Sequence, residues 1–176
     1  MNTVALVHTS KKTRKHLPLG DVTFKITKGT TPTTIGGRFV DKGINFLKVE
    51  SISEFGSLEI EKLAQIDKES DELLRRSRLE ENDVLFSIAG AIGRTYLVRH
   101  EDLPANVNQA LAIVRFDPSK VHPKYGYYSM RDTAFQGDAL GRVVQCAQAN
   151  VNLAQLARSA INIPPLDEQR RIADIL

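Results

Sequence analysis

The sequence predicts a domain of the α+β class, in which a twisted, mixed β-sheet core is flanked by short helices. Three apolar segments, at 83–88, 95–98 and 110–114, have the length and the β-branched or aromatic content of core strands. Two further stretches, at 67–79 and 123–141, lack strand alternation and carry helical patterns. Strands and helices of this kind in one chain favour a mixed architecture.

Local patterns justify the elements in chain order. Val22, Phe24 and Ile26 alternate with polar residues, which predicts a half-buried strand that ends before Gly29. A loop is expected from there to about residue 42, followed by a mostly buried strand over 44–49. The helix over 67–79 has acidic residues first and arginines last, an order that suits the helix dipole. Its arginine cluster at 75–78 either ends the helix or touches phosphate.

Length and composition indicate one globular domain with little metal chemistry. The 176 residues are 41% hydrophobic and 26% charged, enough to bury a core without disulfides. No apolar run approaches a membrane span, and residues 1–16 lack the apolar block of a signal peptide, so we expect a cytoplasmic protein with no membrane partner. With one cysteine, Cys146, and four scattered histidines, we expect no metal site and no cofactor.

Charge is distributed unevenly along the chain. Residues 1–48 hold nine Lys or Arg against two Asp or Glu, whereas residues 49–83 hold five against eleven. The basic first quarter suits a polyanionic partner, or else forms a solvated surface with a frayed terminus. Within it, residues 1–16 predict a basic, flexible N-terminal arm, so the domain proper is expected to begin at residue 17.

Motifs for catalysis are absent from the sequence. The glycine-rich stretch at 29–37 has neither the spacing nor the lysine of a P-loop, and no dinucleotide, zinc-protease or nucleophile-elbow motif is present. A nucleophilic Cys146 requires a histidine brought beside it by the fold, and a buried structural cysteine is the alternative. We therefore expect a protein that is not an enzyme and has no catalytic residues.

The C-terminal segment has the pattern of a helix start. Residues 161–172 read Ile-Asn-Ile-Pro-Pro-Leu-Asp-Glu-Gln-Arg-Arg-Ile. Pro165 is tolerated in a first helical turn, and the carboxylates of Asp167 and Glu168 favour the positive end of a helix. An ordinary C-terminal helix is one interpretation of this segment.

Two other segments complete a pattern with it. Residues 79–93 hold a turn, then Asp83, an apolar strand, Ser87 and glycines, with Asn82 at a turn position where it tolerates left-handed backbone. Leu-Gly-Asp-Val at 19–22 leads to Gly-Thr-Thr-Pro at 29–32, with weaker support from 106–112. Together, over roughly residues 17–176, these segments resemble the target recognition domain of specificity subunits from type I restriction-modification systems.

The resemblance implies a DNA target recognition domain over 17–163 and the truncated start of a spacer helix over 164–176, as in a fragment or a half-subunit. It implies a non-catalytic subunit that recognises one half of a bipartite target in double-stranded DNA. Its implied partners are a methyltransferase (modification) subunit, a restriction subunit, and a second recognition domain or second copy joined through the spacer helix. The alternatives are the recognition domain of a fused type II restriction-methylation enzyme, and an interaction module or small-molecule enzyme with no DNA role.

Candidate DNA contacts follow from residue type and loop position. Cations hold phosphates, while amides, guanidinium groups and hydroxyls reach base edges. For each candidate, a solvated surface residue is the alternative. The first set surrounds the loop expected from Gly29 to about residue 42, which we call the basic loop. This set comprises Lys25, Lys28, Thr30, Thr31, Thr33, Thr34, Arg38, Lys42 and Lys48, and the second set comprises Arg142, Gln145, Gln148 and Asn150.

Overall fold

Fourteen helices and strands make up the described structure, a computed structural model that covers residues 15–141 and 150–176. Single 3-10 turns occupy several of the connections between them. The strands are β1 (Lys15–Pro18), β2 (Thr23–Lys28), β3 (Phe39–Leu47), β4 (Ala64–Ile66), β5 (Val84–Ser87), β6 (Thr95–Leu97), β7 (Ala105–Val107), β8 (Leu111–Phe116) and β9 (Ala160–Ile163). The helices are α1 (Lys68–Leu73), α2 (Pro123–Arg131), α3 (Thr133–Gly141), α4 (Leu153–Arg158) and α5 (Leu166–Ile175).

The strands form three sheets. The largest is antiparallel, with strand order β2-β8-β5-β6. A second sheet, in the order β4-β3-β7, is mixed, because β4 is antiparallel and β7 parallel to β3. β1 and β9 form an antiparallel pair. These mixed sheets with short helices confirm the predicted α+β class, and the three predicted core strands are confirmed as β5, β6 and β8.

The central strands β8 and β5 of the largest sheet are buried on both faces, and for that reason they read as continuous apolar runs. Val84 and Phe86 pack with Met130 and Leu156 in a core shared with the helices. Leu85, between them in sequence, packs on the opposite face in a core shared with the second sheet. Successive side chains of a strand point to opposite faces, so both alternate positions must be apolar here.

The helix predicted over 67–79 is wrong in its length. α1 ends at Leu73, and a 3-10 turn over Arg75–Ser77 follows it. The backbone N–H of Leu79 then donates to the carbonyl of Ala105, so the chain leaves the helix to bond beside β7. The three-residue strands β4 and β7 were not predicted, because runs this short carry little periodicity.

At the two ends of the described chain, β1 pairs with β9, so that Lys15 lies opposite Ile163 and Pro18 opposite Ala160. Lys15 and His16 thus belong to a strand, and residues 1–14 of the predicted arm lie outside the described residues. The helix start predicted after residue 163 is α5. None of the described helices has the length and apolar character needed to span a membrane.

A close backbone contact joins the largest sheet to the second sheet at Gly29, which directly follows β2. A Cβ atom added to Gly29 would lie 1.7 Å from the carbonyl oxygen of Val107 and 2.7 Å from that of Asn108. Only glycine permits this approach, because every other residue places a side-chain carbon there.

Replacing Gly29 by alanine should therefore destabilise the domain, because two backbone segments must separate to admit a methyl group. We expect a loss of at least about 2 kcal/mol in the free energy of unfolding, measured by urea denaturation. Gly137→Ala is the matched control: an added Cβ there meets nothing within 4 Å, and helix propensity favours alanine. Equal stability of the two variants would contradict the contact.

Candidate DNA interface

The residues that follow Gly29 in the basic loop lie against the turn between β7 and β8. The Thr31 hydroxyl donates a 2.6 Å hydrogen bond to Oε1 of Gln109, a residue of that turn. The Thr34 hydroxyl donates to the Thr31 carbonyl at 2.7 Å and stabilises the turn that follows. The loop is thus attached to the β7–β8 turn by a side-chain hydrogen bond as well as by the Gly29 contact.

A groove of about 300 Å³ lies beside this attachment. Its far side is held in place by the Val151 N–H, which donates to the Ile88 carbonyl at 2.9 Å. We call it the Lys28 groove, and its lining residues are Lys28, Ile88, Ala89, Gln109, Asn150, Val151, Asn152 and Leu153. It therefore brings together Lys28 from the first predicted set and Asn150 from the second, which are far apart in sequence.

Among the described residues, the polar lining of the Lys28 groove has one cation, three amides and no carboxylate. Lys28, Gln109 and Asn150 are exposed. Asn152 caps α4: its side chain accepts from the Gln155 N–H at 2.8 Å, and the Gln155 side chain accepts from the Asn152 N–H. Amides and a cation without carboxylates form a surface that suits a polyanion.

The other end of the same loop is acidic. Arg38, whose side chain is 70% exposed, donates to Asp67 at 2.5 Å and lies 3.9 Å from Glu69. These residues line a groove of about 390 Å³, the Arg38 groove, together with Gly36, Gly37, Ser70, Glu72 and Leu73. Its carboxylates neutralise the arginine and repel phosphate, so this end of the loop is a poorer DNA surface than the Lys28 groove.

Other predicted cations have partners within the fold. Lys25 donates a 2.7 Å hydrogen bond to the Arg76 carbonyl, and its burial, with the nearby Arg115 guanidinium, lowers its pKa. Lys48 lies 3.6 Å from a carboxylate oxygen of Glu50. These contacts give both lysines a role in the fold that is independent of any ligand.

The remaining predicted contacts divide between the described and the undescribed residues. Thr33, Thr34 and Lys42 are exposed, and Thr30 is half-buried. Arg142, Gln145 and Gln148 lie outside the described residues. In the described ranges, no group of His, Cys, Asp or Glu side chains has an arrangement that would hold a metal ion.

Gln109 was not among the predicted contacts, although its segment was part of the pattern. The sequence signal is a polar pair, Asn108-Gln109, set between two apolar strands. Its proximity to Lys28 and Thr31 depends on the Gly29 contact, which a sequence does not display.

The motif at 79–93 is stabilised by hydrogen bonds within the fold. Asp83, fully buried, accepts from Nε and Nη2 of Arg115 at 2.8 and 2.9 Å and from the Glu80 N–H at 2.8 Å. Ser87 donates to the Ala91 carbonyl and so closes the loop after β5. Asn82 has a φ of 69°, the left-handed conformation that its residue type tolerates.

The start of α5 is anchored by Gln169, which is fully buried. Its Nε2 donates to the carbonyls of Pro164 and Lys120 at 2.8 and 2.9 Å, and its Oε1 accepts from the His122 N–H at 2.8 Å. The glutamine of the C-terminal motif thus fixes the start of α5 against the segment that precedes α2.

An α+β domain with an anchored C-terminal helix is the class of structure that the sequence motifs indicated. The family model described as the type I restriction modification DNA specificity domain matches residues 15–176. The chain belongs to this family.

Two curated relatives are similar over most of the chain. The specificity subunit of the type I restriction enzyme EcoBI from Escherichia coli is 31% identical over 138 residues, which cover 77% of this chain and 28% of that protein. The putative type I restriction enzyme MjaX specificity subunit from Methanocaldococcus jannaschii is 30% identical over 141 residues, covering 76% and 32%. The chain thus matches about a third of the length of each relative.

Solved structures share the fold. The HsdS subunit from Thermoanaerobacter tengcongensis superposes with a TM-score of 0.70 at 15% identity, covering 92% of this chain and 40% of that one. The S subunit of a type I restriction-modification system from M. genitalium gives a TM-score of 0.63 at 14% identity, covering 97% and 40%.

Acid should destabilise the domain in part through Asp67. Hydrogen bonds from Ser70 and the ion pair with Arg38 lower the pKa of this carboxyl from 3.8 to about 2. A carboxyl whose pKa is depressed by folding stabilises the fold above its unfolded pKa, and this contribution disappears as the pH falls from about 4 to about 2. Asp67→Asn keeps an oxygen that accepts from the Ser70 N–H but has no proton to gain.

Urea unfolding midpoints between pH 2 and pH 7 test this expectation. The midpoint of Asp67→Asn should lie below that of the unmodified chain at pH 7, and the difference should shrink below pH 4. Parallel curves across the whole range would show that the folded state does not depress the pKa of Asp67.

Proposed function

We propose that this chain is a sequence-specific DNA recognition domain of a type I restriction-modification specificity subunit, reading one half of a bipartite target. Membership of the DNA specificity family and the names of the two curated relatives support this function. The structural observation that carries it is the Lys28 groove, where Lys28, Gln109 and Asn150 meet and to which the described residues contribute no carboxylate.

The proposed division of labour in the groove and its neighbourhood follows the chemistry of DNA recognition. Cations and N–H donors hold phosphates and set the register of the protein on the duplex, while side chains in the major groove read base edges. Lys28 supplies a cation, and Asn150 carries an amide able to donate and accept. Arg142, Gln145 and Gln148, which directly precede Asn150, remain predicted base or phosphate contacts.

Partners follow from the same proposal. A domain that reads sequence and performs no chemistry itself must direct other subunits, and we propose a methyltransferase subunit and a restriction subunit, acting in the cytoplasm. A second recognition domain, or a second copy of this chain, would read the other half of the target. α5, whose start is held by Gln169, would connect the two halves as the start of a spacer helix.

The alternative of a fused type II enzyme finds no specific support. Both curated relatives are named as specificity subunits of type I enzymes.

In-vitro selection of the purified chain on randomised duplexes near physiological salt tests the function. We expect one short motif to be enriched, with each mismatched base pair costing about 1–3 kcal/mol of binding free energy, because base contacts discriminate by about that amount. Duplexes with the motif scrambled at constant composition are the control.

A half-site reader can bind too weakly to select alone, so a flat result is followed by selection with the methyltransferase subunit present. Absence of an enriched motif in both experiments would contradict the proposed function.

A further inference from the structure

The side-chain amide of Gln109, a residue that lines the Lys28 groove, is held by a hydrogen bond from Thr31. Its Oε1 accepts the Thr31 hydroxyl at 2.6 Å, which orients the amide. Gln109 is exposed, and no hydrogen bond joins its Nε2 to another residue within 15–141 or 150–176. An amide held in this way has two N–H groups to offer a ligand.

Lys28 adds a positive charge next to these donors. Its side chain is exposed and forms no ion pair with another residue of the described ranges. Arg38, at the other end of the loop, is instead surrounded by Asp67 and Glu69. Of these two cations of the loop region, Lys28 is therefore the one whose charge is available to an anion.

The phosphates and the base edges of DNA require different hydrogen-bonding groups from a protein. Bidentate reading of adenine needs both an acceptor and a donor on the same amide. Thr31 occupies one lone pair of the Gln109 oxygen, whereas both N–H groups of its Nε2 are unpaired within the described ranges, and a phosphate oxygen requires donors only. A cation and an amide with two unpaired N–H groups, both lining one groove, fit a phosphate.

We propose that Lys28 and Gln109 bind a phosphate of the DNA backbone, and that Thr31 is the positioning residue that holds the Gln109 amide for this contact. The inference rests on the proposed function and adds to it the ligand of this groove. Lys28 and Gln109 then contribute to the affinity for DNA and to the register of the protein on the duplex, and other residues of the domain choose the bases.

Gln109→Glu is the sharpest test, because a carboxylate still accepts from Thr31 but offers no donor and repels phosphate. On duplexes carrying the selected motif, we expect affinity to fall about tenfold or more, as for loss of a hydrogen bond to a charged group. Thermal stability should remain close to that of the unmodified chain. The experiment uses whichever state selected the motif, the chain alone or its complex with the methyltransferase subunit.

Gln65→Glu is the matched control. Gln65 also accepts through Oε1, from the Gly43 N–H at 2.6 Å, so the change keeps its hydrogen bond and adds the same charge away from the Lys28 groove. Lys28→Ala should lower the slope of log affinity against log salt by about one, whereas Lys68→Ala, on the exposed face of α1, should not.

Variants of Thr31 test whether its hydroxyl positions the Gln109 amide. Thr31→Val removes the hydroxyl and should weaken binding, whereas Thr31→Ser keeps it and should restore most of the affinity. In a Gln109→Ala background, Thr31→Val should cause no further loss of binding, because the amide it positions is gone.

Three outcomes separate the possibilities. A loss of affinity in Gln109→Glu that is equal for all duplex sequences, with the selected motif unchanged, supports the phosphate contact. Affinity equal to that of Gln65→Glu, or a selected motif relaxed at one base position, overturns it while leaving the proposed function intact. Failure of the unmodified protein to select any motif overturns the proposed function itself.

Discussion

The contact between the Gly29 backbone and the Val107–Asn108 backbone is the constraint on which the arrangement of the candidate interface depends. It brings the end of β2, in the largest sheet, against the end of β7, in the second sheet. Because Gly29 has no side chain, Thr31 can reach Gln109 and Lys28 can lie beside the β7–β8 turn. A single methyl group at this position would disturb the sheet junction and the groove together.

The cations of this domain divide into those that pair with carboxylates inside the fold and those whose charge is available to a ligand. Arg115 is bound by the buried Asp83, and Arg78 by Asp71 and Glu72, so these guanidinium groups hold the fold together. The acidic stretch at 49–83 supplies many of the carboxylates involved. Within the basic first quarter, Arg38 and Lys48 are also paired with carboxylates, so the net charge of that quarter overstates what a polyanion meets. Lys28 stands out because the described residues contribute no carboxylate to its groove.

The sequence predicted the elements that have a long periodic pattern. It did not predict features that depend on contacts between residues far apart in the chain. The strands around Leu85, Tyr96 and Ile113 were predictable from apolar content, and the left-handed turn at Asn82 from its residue type. The length of α1 was not, because it is set by the hydrogen bond from Leu79 to Ala105, a tertiary contact. Local propensity gives way to such contacts.

The candidate site shows the same division. Lys28, Thr31 and Asn150 were predicted from residue type, but nothing in the sequence placed Asn150 beside Lys28 or identified Gln109 as their neighbour. Arg38 has the residue type of a phosphate contact, and only the structure shows the carboxylates around it. Residue type selects candidates, and tertiary neighbours decide which of them keep their charge available.

The most direct measurement places a photo-crosslinking residue at one of two positions and asks which captures DNA carrying the selected motif. Ala89 lines the Lys28 groove, and Leu73 lines the Arg38 groove at the acidic end of the same loop. The account predicts that DNA is crosslinked from position 89 and not from position 73. Crosslinking from position 73 alone would contradict it, because DNA would then occupy the acidic surface.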